Sequence, residues 1–233
     1  LESYLPKLVR AGHKVAICEQ VGAASDSRNL VDREVVRVIT PGTLVEDSLL
    51  DGSANNYLVA LIIDQRESGL AYVDISTGEF ATTQLSIDQL KPELERLSAA
   101  EILVPHAIEG VMPSLSAVIT PLESVFEFEE AYQTLIGQFG VSTLEPYGCQ
   151  ELPLAIQAAG SIIAYLNKTQ KASLDLIQGL TTYSVNSYMA IDPQTRRNLE
   201  LFQEARWGGT KNSLIAILDV TDTSMGTRLL RRW

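Results

Sequence analysis

Three apolar runs, NYLVALIID, GLAYVDIS and GEFATTQL, follow one another between residues 56 and 85 with only a few residues between them. Connections that short join antiparallel neighbours, so the three runs are expected to form a meander, with turns at Gln65–Gly69 and around Thr77–Gly78. The next stretch, SIDQLKPELERLS, places Ile87, Leu90, Leu94 and Leu97 on one helical stripe behind Ser86 as cap. Pro92 falls inside that stripe and marks a kink or a later start. AEILVP then reads as a buried strand returning parallel to the sheet. Three antiparallel strands, a crossover helix and a further strand are the opening of an RNase H-like unit, which sets the fold class as mixed α/β.

The flanks have a different character. Before the meander, ESYLPKLVRAG reads as a helix stopped at Gly12 and KVAICEQ as a short strand. AASDSRN is a polar loop, and REVVRVI is a β-branched strand ended by a turn at Thr40–Thr43. Residues 46–53 are polar enough to serve as a linker. After the meander, a helix is expected near Glu129–Phe139, and PLAIQAAGSIIAYLNKTQ is a long apolar helix suited to burial against the sheet. From Thr181 onward, Asp192–Pro193 is a strong helix start leading into TRRNLELFQEAR, with Leu199 and Phe202 on its apolar stripe. The loop WGGTKN, then SLIAILDVT and MGTRLLRRW complete the chain. In the last of these, Leu229, Leu230 and Trp233 are expected on one stripe with Arg228, Arg231 and Arg232 around it. That pattern suits a packed core helix better than a free basic tail.

The net charge of −11 argues against nucleic acid as the main partner of the whole surface, but the charge is uneven. Residues 1–50 carry six basic and seven acidic groups, residues 51–180 five and seventeen, residues 181–233 seven and five. The acidity belongs to the middle. Cys18 and Cys149 have no CxxC partners, so they are expected to be buried free thiols in a reducing, cytoplasmic setting. No apolar run is long enough to span a bilayer.

The acidic middle offers the one enzymatic alternative, a metal-dependent nuclease of RNase H-like fold. Two-metal phosphoryl transfer needs several carboxylates around ions about 4 Å apart. Asp64, Asp74, Glu93 and Glu95 are the candidates, but Asp64 closes its strand beside a turn and the exit of EILVP offers only Val104 and Pro105. A solvated acidic surface accounts for them as well. GGTKNS lacks the glycine spacing and preceding strand of a phosphate loop, so Lys211 reads as part of a helix–helix connection. His13 and His106 are solitary and beside turns. The acceptor-like Asn167-Lys168-Thr169 has no secretory context. Arg33 and Arg37, four apart on a strand, are expected to share a face and make a candidate DNA phosphate contact. The competing reading pairs them with Asp32 or Glu34. Arg196 and Arg197 begin an expected helix, a poor place for cations, which hints at an acidic partner on the middle domain.

The order VAICEQ, REVVRVITPGTL, LVALIID…GLAYVDISTGEF, DPQTRRNLEL and NSLIAILDVTDTSMGTRLLRRW resembles the bacterial MutS family of DNA mismatch recognition ATPases from end to end. The resemblance implies three parts. Residues 1–45 are similar to the C-terminal part of a mismatch-recognition domain, 54–180 to an RNase H-like connector without nuclease activity, and 181–233 to the first segment of a helical core, or lever, domain. It implies a non-catalytic fragment with no cofactor of its own, ATP and Mg²⁺ belonging to the parent protein. The implied partners are mismatched duplex DNA, MutL and a second copy of the parent. The string FEFEE (Phe126, Glu127, Phe128, Glu129, Glu130) contains the family's Phe-x-Glu pattern but lies in the wrong domain. The family's phenylalanine wedge would precede residue 1, and its nucleotide site and clamp would follow residue 233.

Overall fold

The computed structural model describes residues 4–20, 33–46, 49–50, 52, 54–106, 117–122, 127–187, 191–204 and 209–232. The polar loop at 23–29, Asp32, Phe126, Trp233 and parts of the linker and of the WGGTKN loop lie outside these residues.

The N-terminal unit consists of helix α1 (Leu5–Arg10) and strands β1 (Val15–Gln20) and β2 (Arg33–Ile39), paired antiparallel. Leu5, Val9, Ile17, Ile39 and Leu44 form its small core. The pairing carries a β-bulge: Cys18 faces Val35 but Ile17 faces Arg37, leaving Val36 as the extra residue. Beyond β2, Pro41–Thr43 form one 3-10 turn, buried throughout.

The central sheet has six strands in the order β7-β6-β3-β4-β5-β8. Strands β3 (Leu58–Asp64), β4 (Glu67–Asp74) and β5 (Glu79–Ser86) form the expected antiparallel meander. Helix α2 (Ile87–Leu97) crosses over to β6 (Glu101–Pro105), which runs parallel to β3, and β7 (Val118–Leu122) lies parallel outside it. The short β8 (Thr181–Thr182) adds parallel to β5 at the opposite edge.

Side chains alternate across this sheet into two cores. Leu58, Ala60, Ile62, Ala71, Val73 and Leu103 pack on one face, against α3 (Phe128–Phe139) and α4 (Pro153–Thr169). Val59, Leu61, Leu70, Leu85, Ile102 and Val104 pack on the other, against Leu90, Leu94 and Leu97 of α2. Burial on both faces is why β3 reads as one continuous apolar run. Ile87, expected on the α2 stripe, is instead 39% exposed. It is the first residue of the helix, one turn before the buried Leu90. Pro92 is accommodated within α2.

The β3–β4 hairpin is tighter than expected. Gln65 and Arg66 alone turn the chain, with Gln65 at φ +33°, and Gly69 lies inside β4, paired with Ile62 and Gln84. A glycine inside a strand marks a close backbone approach. Here that approach is made by the start of α4, where Thr82 Oγ1 donates to the Ala155 carbonyl at 2.9 Å and the Leu154 N–H donates to Gln84 Oε1 at 3.1 Å.

The C-terminal segment holds three short helices, α5 (Pro193–Asn198), α6 (Leu214–Leu218) and α7 (Ser224–Arg232). Asp192 caps α5 as expected, accepting from the Thr195 N–H at 2.9 Å. The helix is much shorter than TRRNLELFQEAR suggests, because Glu200 at φ +49° turns the chain away and leaves Leu199 half exposed. In α7 the expected stripe is also revised. Arg228 is buried, whereas Leu229 is 45% exposed.

The two cysteines differ, contrary to the expectation that both are buried. Cys149 has no exposed surface, and burial raises its thiol pKa, whereas Cys18 is exposed on β1. A disulfide-exchange reagent added to the native chain is therefore expected to titrate one thiol rapidly. The second should appear only in denaturant. Two fast thiols in the native state would show that the α4-side core is open.

Candidate functional site: two polar joints on the sheet

The sheet carries a buried polar cluster on each side where a flanking segment meets it. The first centres on Glu101, which opens β6 and has no exposed surface. A buried carboxylate is tolerated only when its lone pairs are satisfied. Four donors do this. Oε2 accepts from the Thr40 hydroxyl in a short hydrogen bond and from the Gly42 N–H at 3.0 Å. Oε1 accepts from Thr120 Oγ1 at 2.7 Å and from the Tyr165 hydroxyl at 2.8 Å. Two donors thus come from the turn after β2, and two from the body around the sheet.

The turn is shaped to present those donors. The Thr40 N–H donates to Thr43 Oγ1 at 2.9 Å, and Pro41 starts the 3-10 turn. A Cβ on Gly42 would lie 2.8 Å from the Glu101 Cβ and 2.9 Å from Leu58 Cδ1, so only glycine allows this approach. Asn56 Nδ2 donates to the Pro41 carbonyl at 2.9 Å and Gln170 Nε2 to the Thr43 carbonyl at 2.7 Å. Burial, then the Glu101 charge, pushes the Tyr165 phenol far up from its ordinary value.

The second cluster lies on the α2 face and at the β4–β5 turn. Tyr57, Tyr72 and Tyr183 stack edge to face, with ring centroids 4.9 and 5.8 Å apart. Glu79 accepts from the Tyr57 and Tyr72 hydroxyls at 3.2 and 3.3 Å, and Glu93 from the Tyr183 hydroxyl at 2.6 Å. Burial first, and the facing carboxylate second, raise all three phenols, Tyr72 to about 12. Arg96 also binds Glu93, through two nitrogens at 2.6 and 2.9 Å. Desolvation opposes the Arg96 charge, but the Glu93 contacts outweigh it and raise its pKa. Helix α7 reaches this region with two arginines. Arg228 Nη1 donates to Ser76 Oγ at 2.7 Å, and Arg232 Nε lies 3.5 Å from Glu79 Oε1.

The four carboxylates considered for metal chemistry are not brought together. Asp64 pairs with Glu67 at one end of β3 and β4, and Asp74 pairs with Glu79 at the other end. The length of those strands separates the two aspartates by on the order of 20 Å. Asp74 is fully buried and accepts from the Ser76 N–H and hydroxyl at 2.9 and 2.6 Å and from the Asn56 N–H at 3.2 Å. Glu93 is occupied as described, and Glu95 stands 3.9 Å from Lys91 on the outside of α2. Among the described residues no group of three or more His, Cys, Asp and Glu is placed to hold a metal. His13 and His106 are exposed. Lys211 is exposed in the turn before α6, away from any strand. Among these residues no helix is long and apolar enough to cross a membrane.

The arginine expectations change. Arg33 is exposed, opposite Gln20, whereas Arg37 lies opposite Ile17. Gln20 and Ile17 are three apart on an unbulged strand, so the bulge sends the two arginines to opposite faces. Arg37 pairs with Glu46 at 2.7 Å, neither with Glu34 nor with a phosphate-facing neighbour. Arg196 and Arg197 fall in the last turn of the shortened α5, a favourable place for cations. Arg196 lies 4.6 Å over the Phe202 ring, and burial together with the Arg96 charge lowers its pKa. The charge on the middle unit that bears on it is thus the Arg96 cation.

Sequence reasoning missed Glu101 and Glu79. The available signals were an acid opening an apolar strand, EILVP, and three tyrosines near strand ends.

Comparison with known proteins accounts for the whole chain. Three family models match in order: MutS domain I over residues 1–48, MutS domain II over 56–178 and MutS domain III over 194–233. Proteins named DNA mismatch repair protein MutS are similar throughout. Those of Dehalococcoides mccartyi (strain ATCC BAA-2266), Trichormus variabilis and Halothermothrix orenii are 44%, 45% and 42% identical over the full length of this chain. The chain spans 27%, 29% and 27% of their respective lengths.

Proposed function

Because this chain belongs to the MutS family, we propose that it serves in DNA mismatch repair as the link between a DNA-reading part and a helical core. In this reading residues 54–180 are an RNase H-like connector. The meander β3-β4-β5, the α2 crossover and β6 beside β3 support that assignment. The link works mechanically and catalyses nothing. ATP and Mg²⁺ act elsewhere in the longer protein, which operates in the cytoplasm as a homodimer on mismatched duplex DNA. The acidic outer surface of the connector suits a protein partner such as MutL better than DNA. Exposed Arg33 is the residue of this chain assigned to a DNA phosphate. Arg37, engaged by Glu46, is the weaker candidate.

The observation that carries this reading is that one sheet holds polar contacts to both the preceding and the following segment, through Glu101 on one side and Ser76 and Glu79 on the other. In a longer protein carrying this chain, Arg33→Ala is expected to weaken matched and mismatched duplex binding equally. Its salt slope should fall by about one, as for a single lost phosphate contact. The isolated chain is expected to show neither mismatch preference nor cleavage with Mg²⁺ or Mn²⁺. Cleavage that Asp64→Asn abolishes would establish the nuclease alternative instead.

A further inference from the structure

The two joints on the sheet are built differently. At the Glu101 joint Thr40, Thr43, Glu101, Thr120 and Gln170 are each at most 6% exposed, and Tyr165 is half-buried. The four contacts to the carboxylate are charge-assisted and divided evenly between the turn and the sheet body. Such a cluster has one satisfied arrangement, since moving the turn strands a buried carboxylate with half its donors. The α7 joint combines buried Arg228, which reaches the neutral acceptor Ser76 at 2.7 Å, with Arg232, whose side chain is 56% exposed and 3.5 Å from Glu79. Water can replace the Arg232 contact at little cost.

We propose that the Glu101 carboxylate is a lock that fuses the 40–43 turn, and with it the bulged β1–β2 hairpin, to the six-stranded sheet as one rigid body. Relative motion is then taken up on the α7 side, where the Arg232 end of the charge pair is exposed and the Ser76 contact is to a neutral hydroxyl. Glu101 is a positioning residue in this scheme. Its effect is to make the hairpin that carries Arg33 follow the sheet without lag. This rests on the linking role proposed above, but the lock itself can be measured without any repair activity.

Two spin labels read it directly. One goes on the exposed native Cys18 of β1. The other goes on Lys91→Cys, at a side chain 66% exposed on the outside of α2. Buried Cys149 stays unlabelled, and its protection from thiol reagents reports that the sheet is folded. A single narrow distance distribution is expected, unchanged between low and high salt. Glu101→Gln turns an amide NH₂ toward two of the four donors, and Thr40→Val removes one donor from the turn side only. Each is expected to broaden the distribution at least twofold with Cys149 still protected. Thr120→Val keeps both turn-side donors and should leave it narrow. A narrow distribution in both Glu101→Gln and Thr40→Val overturns the lock, as does a distribution already broad, or broadened by salt, in the native chain. Should Glu101→Gln expose Cys149, Thr40→Val decides alone. If the lock loosens as expected while a longer protein carrying Thr40→Val repairs mismatches normally, the lock stands and the linking role falls.

Discussion

Gly69→Ala is expected to destabilise the chain by about 3 kcal/mol, at the upper end of what overpacking costs. A Cβ at position 69 would stand 2.0 Å from the Leu154 carbonyl oxygen and 2.1 Å from its carbon. Those atoms are backbone, so no side-chain rotation relieves the contact. The start of α4 would have to lift from β4, which breaks the Thr82–Ala155 and Gln84–Leu154 hydrogen bonds. It would also open the core that Ile156, Ala159 and Ile163 fill. Gly137→Ala is the matched control, because a Cβ in that α3 position meets nothing within 4 Å. There the substitution should stabilise by about 0.5–1 kcal/mol through helix propensity. Urea unfolding reads both, as midpoint shifts of opposite sign at constant slope. An unchanged midpoint for Gly69→Ala would mean that α4 does not sit on β4 as described.

The same glycine shows where sequence reading stops. The meander was legible because alternating apolar runs with short connections admit few arrangements, and β3, β4 and β5 occupy the expected stretches. The sequence places Gly69 at the end of the Gln65–Gly69 turn. The actual reason for it is a helix arriving from residue 153, which no local pattern announces. The bulge between β1 and β2 is similar. Arg33 and Arg37 have the spacing of one strand face, and a single extra residue, Val36, undoes it. α5 was overestimated because LELF continues a helical stripe, while the left-handed Glu200 ends the helix against propensity.

The polar joints were illegible for a related reason. Thr40–Thr43 could be read as a turn, but nothing near it says that its hydroxyl and N–H meet a carboxylate 61 and 59 residues further on. AEILVP reads as a buried strand, with no local sign of what its opening Glu101 would meet. Arg228 is expected only to flank an apolar stripe, yet it is the buried residue of α7, with Ser76 as a partner. Long-range satisfaction of buried polar groups decides these positions, and it is a property of the assembled fold.

Those same groups make the chain sensitive to alkali. Tyr57, Tyr72, Tyr165 and Tyr183 are all raised, first by burial and then by a facing carboxylate: Glu79 for the first two, Glu101 and Glu93 for the others. Each phenol is neutral in the folded chain at a pH where it is already ionised in the unfolded one. The unfolded state therefore binds fewer protons, and stability falls as pH rises. The loss begins near the unfolded value of about 10, and below that pH the contribution is fully present. For Tyr72 it continues to its folded value of about 12. One such group costs about 1.4 kcal/mol per pH unit in this window. Four acting together would remove roughly 5 kcal/mol per unit, comparable with the lower range of whole-domain stability. Ionisation and unfolding should therefore coincide, with phenolate absorbance of these tyrosines and loss of circular dichroism rising in one step above about pH 10. Tyr72→Phe removes one of the four, and its stability–pH slope should be shallower by about 1.4 kcal/mol per unit. Four phenols that ionise near their ordinary value while the chain stays folded would mean that neither Glu101 nor the Glu79–Glu93 pair is shielded from water, and both joints would have to be redrawn as open contacts.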